Sequence, residues 1–301
     1  NFSGAVFTNL SQDHFDYHKT IENYFSVKKR LFTKIIKNNS AVAINIDDNH
    51  GELLYNELKK LNLLILTFGK NSKADIKIKS ITQNSNSINL EVMFNNRIFS
   101  STIGMIGEFQ VYNVLASASI CIALGMDANF VFKSLSYLKP VPGRMEIVSG
   151  HPSESLIIID YAHSPDALFS VLKSLRGNVK GRIITLFGCG GNRDKAKRKI
   201  MGKIASENSN EVIVTDDNPR TEKPSNIRKE ILIGCPNAIE IADRNNAIKY
   251  AVSKLKKNDL LLIAGKGHES FQTIGTESLP FDDFTVAKEA IKNLNKNELK
   301  N

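Results

Sequence analysis

Four polar clusters in the second half of the chain carry residue types that could hold a zwitterionic amino acid beside a nucleotide. The clusters are Asp160 to His163, Gly188 to Arg193, Asp216 to Arg220 and Gly265 to Glu269. Guanidinium groups bind carboxylates and phosphates, whereas carboxylates accept hydrogen bonds from ammonium groups and ribose hydroxyls. The pattern therefore indicates an enzyme site for ligands that carry charges of both signs.

Each cluster directly follows a short apolar run, and the four runs are predicted to be buried strands. They cover residues 156–159, 183–187, 212–215 and 260–264. Runs that are apolar on both faces and separated by helical stretches are typical of a parallel sheet covered by helices. Because ligands bind at the carboxyl ends of such strands, we expect the four clusters to form one site at one edge of the sheet.

Length and composition favour a globular chain of two domains. The 301 residues are 42% hydrophobic, which is enough for a sizeable core. The three cysteines lack metal-ligand spacing, and we find no signal peptide and no apolar run long enough to cross a bilayer. These features predict a cytoplasmic protein without stable membrane association.

The net charge of +9 does not by itself indicate a nucleic-acid partner. The lysines are spread along the chain and concentrate only in residues 288–300, where a solvated helix face accounts for them. Aromatic residues are not interleaved with the basic ones, as base-stacking folds require. We therefore expect no nucleic-acid binding.

The first half of the chain predicts a second sheet. The expected elements are a strand from residue 4 into a turn near 10, a helix over 21–37, a strand over 41–46, an antiparallel meander within 74–106 and a helix over 108–124 ended by Gly125. Pro140, Pro142 and Gly143 then break the chain, which places a domain boundary near residue 139. The chain starts without methionine and almost at once enters a strand, so it reads as the inside of a longer protein.

The strings FTNLSQDHFDYH, GRMEIV, DYAHSPDAL, FGCGGNRDKAKR, TDDNPR and AGKGHE, in this order, resemble the Mur ligase family. The resemblance runs from residue 7 to about 286. It implies an α/β fold in which residues 1–139 are the latter part of a P-loop-type central ATPase domain and residues 140–301 a Rossmann-like C-terminal domain with a mostly parallel sheet. Against the family, the amino-terminal uridine-nucleotide domain and the phosphate-binding loop are missing, so this stretch alone is not expected to turn over ATP.

The resemblance also implies an activity. In that family ATP phosphorylates the free carboxylate of D-glutamate in UDP-MurNAc-L-Ala-D-Glu, and an amine then displaces phosphate from the acyl phosphate to form an amide. The motif Asp217-Asn218-Pro219-Arg220 implies that the amine belongs to meso-diaminopimelate. ATP and Mg²⁺ are the implied cofactors, and the product is a cytoplasmic precursor of peptidoglycan.

Two residues of the first domain match positions that handle magnesium in the family. His14 matches a magnesium-ligating histidine, and Lys28 matches a lysine that is carbamylated. Carbamylation needs a neutral amine, so we expect Lys28 to be partly desolvated beside its basic neighbours. The alternatives are an ordinary turn histidine and a solvated helix lysine.

Four further residues match nucleotide contacts. By the resemblance, Asn113 contacts adenine, Arg144 lies near phosphate, Asp160 lies near the ribose hydroxyls and His163 lies alongside. The alternative for Asp160 is an N-cap of the helix that starts near Ser164, and an asparagine within a helix is often a surface residue.

The amino-acid pocket is implied by six residues: Arg193, Asp217, Asn218, Arg220, Gly265 and Glu269. Meso-diaminopimelate differs from lysine by a distal carboxylate, and Arg220 is the cation that would bind it. Arg193 would bind a carboxylate, while the other four surround the ammonium and carboxylate groups. The alternative is that both arginines are surface ion-pairing residues.

The residues after Arg193 are expected to be less important. Lys195, Lys197 and Arg198 read as solvated or phosphate-facing, and Cys189 reads as a small packing residue between glycines. Three other functions stay open: a lysine-adding Mur ligase, a ligase similar to folylpolyglutamate synthetase, and a non-catalytic module that binds a nucleotide or an amino acid. Arg220 argues against the first two.

Overall fold

The computed structural model describes residues 2–11, 15–84, 87–177 and 179–298. The chain divides into two compact units, Asn1–Lys139 and Pro140–Asn301. Among the described residues, no helix combines the length and the apolar character needed to cross a bilayer.

The first unit is built on a six-stranded sheet whose spatial order follows the sequence. Its strands are β1 (Gly4–Phe7), β2 (Ala41–Asn45), β3 (Leu64–Gly69), β4 (Ile76–Gln83), β5 (Ile88–Phe94) and β6 (Arg97–Ile103). Strands β1 to β4 pair in parallel, and β5 and β6 add on in antiparallel fashion. The predicted meander is thus confirmed as β4 to β6. Asn95 and Asn96 turn the last hairpin with φ angles of 49° and 60°, which asparagine tolerates better than most residues.

Helices cover both faces of this sheet. They are α1 (Phe15–His18), α2 (Ile21–Arg30), α3 (Asn49–Leu58), α4 (Glu108–Ala123) and α5 (Ala128–Ser134). The apolar helix α4 packs on β1, β2 and β3, whereas α3 packs on β2. The predicted helix over 21–37 is shorter than expected, because the α-helix ends at Arg30 and continues only as a π-helical turn, Leu31–Ile35.

The second unit holds the predicted parallel sheet. Its strands are β7 (Glu146–Ile147), β8 (Leu156–Asp160), β9 (Ile183–Phe187), β10 (Glu211–Val214), β11 (Ile239–Glu240) and β12 (Leu260–Ala264). The spatial order is β11-β10-β9-β12-β8-β7, and only β7 is antiparallel to its neighbour. All four predicted strands are confirmed. The chain crosses the sheet in one direction from β8 through β9 and β10 to β11 and then returns to insert β12 between β9 and β8. The winding direction reverses at this return, and sheets of this type bind ligands where their winding reverses.

Five helices and a hairpin complete the second unit. They are α6 (Pro165–Arg176), α7 (Ala196–Asn208), α8 (Pro224–Leu232), α9 (Arg244–Ser253), α10 (Asp283–Glu298) and the antiparallel pair β13 (Phe271–Ile274) and β14 (Glu277–Pro280). Helix α7 packs between α6 and α8, and α9 packs against α10. Apolar side chains of α9 and α10 form one core with the central strands, whose side chains are buried. This burial holds the strand ends, and the polar clusters that follow them, in fixed positions.

Candidate functional site

Glycines bring the cluster after β9 into contact with the cluster after β10. A Cβ atom on Gly188 would lie 2.4 Å from the carbonyl oxygen of Thr215, and one on Gly191 would lie 1.9 Å from that of Pro219. Backbone atoms cannot move aside as a flexible side chain can, so larger residues do not fit here. The glycine-rich run therefore allows two chain segments to touch directly at the edge of the sheet.

Arg220 is held in place through its backbone. Its N–H donates to the carbonyl of Thr273 (3.0 Å) and its carbonyl accepts from the N–H of Gly275 (2.7 Å), so the hairpin β13–β14 clamps it at φ 52°. Its half-buried guanidinium donates from Nη1 to the carbonyl of Gly191 (2.8 Å). No carboxylate in the described ranges forms an ion pair with this guanidinium, so the surface ion-pair alternative finds no support, and donors remain for a ligand.

Arg193 lies near Arg220 but is more exposed to solvent. It is exposed, and its Nη1 donates to the adjacent carbonyl of Asn192 (3.1 Å). A Cβ atom on Gly190 would lie 3.8 Å from the Cγ of Arg193 and 2.9 Å from Nη1 of Arg220. The structure thus brings the two arginines together beside Gly190.

A hydrogen-bond network joins the clusters after β10 and β12. The Asn218 amide donates from Nδ2 to Oε2 of Glu269 (2.7 Å), and its Oδ1 accepts from Nζ of Lys266 (3.1 Å) and from the N–H of Thr273 (2.9 Å). Lys266 also donates to Oε2 of Glu269 (3.0 Å) and to the carbonyl of Phe271 (2.6 Å). Sequence reasoning gave Lys266 no role, since a lysine between two glycines reads as exposed.

Asp217 and Gly265 sit against each other inside this network. A Cβ atom on Gly265, whose φ is 111°, would lie 2.7 Å from Oδ2 of Asp217, so only glycine leaves room for that buried carboxylate. The N–H of Gly265 donates to the carbonyl of Asp160 (3.1 Å), and the side chain of Gln272 donates to the carbonyl of Asp217 (2.6 Å). Five of the six predicted pocket residues are therefore assembled closely, with exposed Arg193 at their border.

Asp160 is almost fully buried and holds a neighbouring loop. Its Oδ2 accepts from the N–H of Met145 (2.9 Å) and its Oδ1 from that of Ala162 (2.8 Å). Burial raises its pKa against the opposing effect of these two hydrogen bonds. The alternative that Asp160 caps helix α6 is wrong, because the Ser164 hydroxyl caps it by accepting from the N–H of Ala167 (3.4 Å).

Arg144 and His163 both lie against the ring of Tyr161. The guanidinium carbon of Arg144 is 4.4 Å from the centroid of the Tyr161 ring, and the ring of His163 is 4.6 Å away. Gly143 lets this loop touch the cluster after β12, since a Cβ there would lie 2.1 Å from the backbone nitrogen of His268. The structure therefore brings three of the four predicted nucleotide contacts together beside the network, with Arg144 exposed, His163 half-buried and Asp160 buried.

The described candidate residues of the first unit, Lys28 and Asn113, are exposed to solvent. His14 lies outside the described residues. Lys28 is exposed, and its Nζ lies 4.8 Å from the ring centroid of Tyr24. The prediction that Lys28 is partly desolvated is therefore wrong, because helix α2 buries no residue. Asn113 is exposed on α4 and donates from Nδ2 to Oε1 of Gln110 (3.0 Å).

A magnesium ion needs several oxygen ligands. Nowhere in the described ranges do three or more His, Cys, Asp or Glu side chains group in a way that could hold a metal ion.

Helix α7 contains two buried cations that the sequence did not reveal. Arg198 is fully buried and pairs with Glu222 (3.0 Å) and Glu230 (2.9 Å), while Nζ of Lys197 donates to the carbonyl of His163 (2.8 Å). The expectation that both are solvated or phosphate-facing is wrong, because both side chains are buried. Their partners come from distant segments, so no local pattern in the sequence marks them. Glu222 also accepts from the N–H of Asn192 (2.5 Å), and its hydrogen bond with Arg198 lowers its pKa to about 2.

A second buried pair lies below the network. Arg244 and Asp283, at the starts of α9 and α10, are both 0% exposed and joined by two hydrogen bonds of 2.8 and 2.7 Å. Nη2 of Arg244 also donates to the carbonyl of Ala264 at the end of β12 (3.0 Å).

Cys189 is buried beside Met201, and burial raises the pKa of its thiol to about 12, which confirms that it is a packing residue.

A mostly parallel sheet with helices on both faces and charged side chains after the carboxyl ends of its strands defines an α/β protein of the class that binds ligands at that edge. Residues 1–121 match the Mur ligase middle domain, and residues 143–267 match the glutamate ligase domain of Mur ligases. The chain belongs to the Mur ligase family, and the predicted fold class is confirmed.

Curated relatives agree with this assignment. The chain is 41% identical over 294 residues to UDP-N-acetylmuramoyl-L-alanyl-D-glutamate–2,6-diaminopimelate ligase of Agrobacterium fabrum, covering 98% of this chain and 60% of that protein. It is 43% identical over 287 residues to the ligase of the same name from Rickettsia typhi, covering 94% and 57%. The chain thus spans about three fifths of the length of the relatives it matches.

Solved structures show the same fold. A structure of UDP-N-acetylmuramoyl-L-alanyl-D-glutamate–2,6-diaminopimelate ligase aligns with a TM-score of 0.61 at 34% identity, over 97% of this chain and 60% of that chain. MurF ligase from Thermotoga maritima in complex with ADP aligns with a TM-score of 0.69 at 20% identity, over 99% and 62%. The second likeness supports the fold alone.

Proposed function

We propose that the protein containing this chain is an ATP-dependent amide ligase that joins meso-2,6-diaminopimelate to UDP-MurNAc-L-Ala-D-Glu in peptidoglycan precursor synthesis. The observation that carries this proposal is the guanidinium of Arg220, fixed at the sheet edge beside the network of Asp217, Asn218 and Glu269. Two relatives that are 41% identical over nearly the whole chain are 2,6-diaminopimelate ligases, which supports the same substrates.

The pocket matches a diamino diacid in charge. Arg220 has donors to spare for the distal carboxylate, which lysine lacks, and Arg193 lies close enough to bind the other carboxylate. Glu269 and Asp217 supply negative charge for the ammonium groups. An arginine that faces lysine would stay without its partner, so the pocket favours meso-diaminopimelate.

Binding the far end of the amino acid leaves the other amino group free to react. After its ammonium form has lost a proton, that amine attacks the carbonyl carbon of the acyl phosphate on D-glutamate and a tetrahedral intermediate forms. The C–O bond to phosphate then breaks, phosphate leaves, and the nitrogen loses a second proton as the amide is made. The contribution of the pocket is to fix distance and direction, which reduces the entropic cost of bringing two reactants together.

For the nucleotide, we propose that ATP is the phosphoryl donor. In this proposal Arg144 lies near phosphate, Asp160 near the ribose, His163 alongside, and Asn113 at the adenine. The support for three of these contacts is that Arg144, Asp160 and His163 lie close together in the second unit, around Tyr161.

Mg²⁺ also belongs to the proposal, with His14 and a carbamylated Lys28 as its ligands. Its support is the match of residues 1–121 to the Mur ligase middle domain, which contains both positions. The exposed position of Lys28 leaves its Nζ accessible to CO₂.

The test is a panel of amino acids offered to the complete protein, with and without the change Arg220→Ala. Loss of a partner for a buried carboxylate costs about 2–5 kcal/mol, so we expect kcat/KM for meso-diaminopimelate to fall by about 30-fold or more. The matched control is Arg176→Ala, because Arg176 is an exposed arginine at the end of α6, away from the carboxyl ends of the strands. Equal use of lysine by the unchanged protein, or an unaltered kcat/KM in Arg220→Ala, would refute the proposal.

A further inference from the structure

We infer that Lys266 is a positioning residue: its buried ammonium sets the orientation of Asn218 and holds one oxygen of Glu269, which leaves the other oxygen for the ammonium group of the amino-acid substrate. This inference rests on the proposed function, since it assigns a cause to the shape of the same pocket.

Lys266 has no donor left for a ligand. Its side chain is 0% exposed, and an ammonium group has three N–H donors. All three have acceptors, at 3.1 Å on Asn218, 3.0 Å on Glu269 and 2.6 Å on the Phe271 carbonyl. Lys266 therefore acts on the site through its neighbours and does not contact the substrate itself.

The amide of Asn218 can face only one way. Its Oδ1 receives two donors, the Lys266 ammonium and the N–H of Thr273 (2.9 Å), and neither of these can accept a hydrogen bond. Nδ2 must then point toward Glu269, to which it donates at 2.7 Å. Without the ammonium, only one of the two donors that fix this orientation would remain.

Glu269 is bound on one side only. Its Oε2 accepts from both Asn218 and Lys266, whereas Oε1 accepts no hydrogen bond from the described residues. The side chain is 23% exposed, so the second oxygen can be reached by a ligand. A carboxylate with one anchored oxygen keeps its direction, and this lowers the entropic cost of binding an ammonium group.

The backbone explains why this lysine points inward. Gly265 and Gly267 flank it with φ angles of 111° and 54°, a region that favours glycine. A Cβ on Gly267 would lie 2.7 Å from the Cβ of Tyr161. The two glycines form a turn at the end of β12 that directs the Lys266 side chain toward Phe271 of the hairpin instead of toward solvent.

The experiment is a double-mutant cycle in the complete protein with Lys266→Met and Glu269→Gln. We expect Lys266→Met to raise the KM for meso-diaminopimelate at least tenfold, to leave the KM for ATP and for UDP-MurNAc-L-Ala-D-Glu within twofold, and to change kcat much less. In the Glu269→Gln background the same change should raise that KM less than threefold, because Lys266 acts through Glu269. Lys249→Met, an exposed lysine on α9, is the control.

Thermal melts accompany every variant. If Lys266→Met does not melt cooperatively, Lys266→Gln, which keeps a donor for Phe271, takes its place in the cycle. An unchanged KM for meso-diaminopimelate, an equal effect on all three substrates, an effect that is fully additive with Glu269→Gln, or loss of folding in both Lys266 variants would overturn the inference. Failure of the unchanged protein to ligate meso-diaminopimelate would instead contradict the proposed function.

Discussion

The buried pair of Arg244 and Asp283 should contribute strongly to the stability of the second unit. Both side chains are 0% exposed, and two hydrogen bonds of 2.8 and 2.7 Å join them. The change Asp283→Asn keeps the shape of the side chain but removes the carboxylate that is paired directly with the buried guanidinium, leaving only the more distant charges of Asp217 and Glu269. Removing one partner of a buried ion pair costs about 3–5 kcal/mol, so we expect a loss of that order in the free energy of unfolding.

The same loss can be expressed as a melting temperature. A domain of this size shifts by about 2–4 °C per kcal/mol, so Asp283→Asn should lower Tm by about 6–20 °C. The double change Arg244→Met with Asp283→Leu should cost less than the single one, because no uncompensated charge remains in the core. It should still be less stable than the unchanged protein, since the carbonyl of Ala264 loses its donor, a cost of about 1–3 kcal/mol.

Urea unfolding and thermal melts followed by circular dichroism measure both quantities. The control is Lys257→Ala, whose ion pair with Glu154 lies at the surface, with side chains 71% and 73% exposed, and where we expect a loss below about 1 kcal/mol. The reasoning fails if Asp283→Asn stays within 1 kcal/mol of the unchanged protein, or if the double variant is less stable than Asp283→Asn.

Three more predictions follow from the site. The hydrogen bond from Arg198 lowers the pKa of Glu222 from 4.5 to about 2. The stabilisation that the Glu222 carboxylate contributes is therefore complete above pH 4.5 and is lost as the pH falls through 2. In urea unfolding, Glu222→Gln should be less stable than the unchanged protein at pH 7, and its stability should change less as the pH falls. Gly190→Ala would place a carbon 2.9 Å from the Arg220 guanidinium and should raise the KM for meso-diaminopimelate several-fold without changing Tm. A shifted Tm would contradict this prediction. Lys28→Ala in the complete protein should lose most activity and regain part of it with short carboxylates, whereas full activity without them would exclude the carbamate.

The sequence by itself determined the four central strands of the second sheet and the polar clusters that meet at its edge, and in the first sheet all strands but β3. The buried strands β8, β9, β10 and β12 were readable because their apolar runs are continuous, a signal that lies within each segment. The meeting of the polar clusters followed from the topology, since parallel strands bring their carboxyl ends to one edge. Arg220 could be named as the candidate for the distal carboxylate because its motif, residues 217–220, is continuous in the chain.

Only the tertiary structure decided which charged side chains are buried and what they hold. Arg198 finds its partner Glu222 24 residues along the chain, and Arg244 finds Asp283 39 residues along, so no local pattern marks either pair. Lys28 shows the reverse case, because its basic neighbours suggested desolvation while its helix buries nothing. The burial of a charge depends on distant segments that supply its counter-charge and exclude water, and these meet only once the chain has folded.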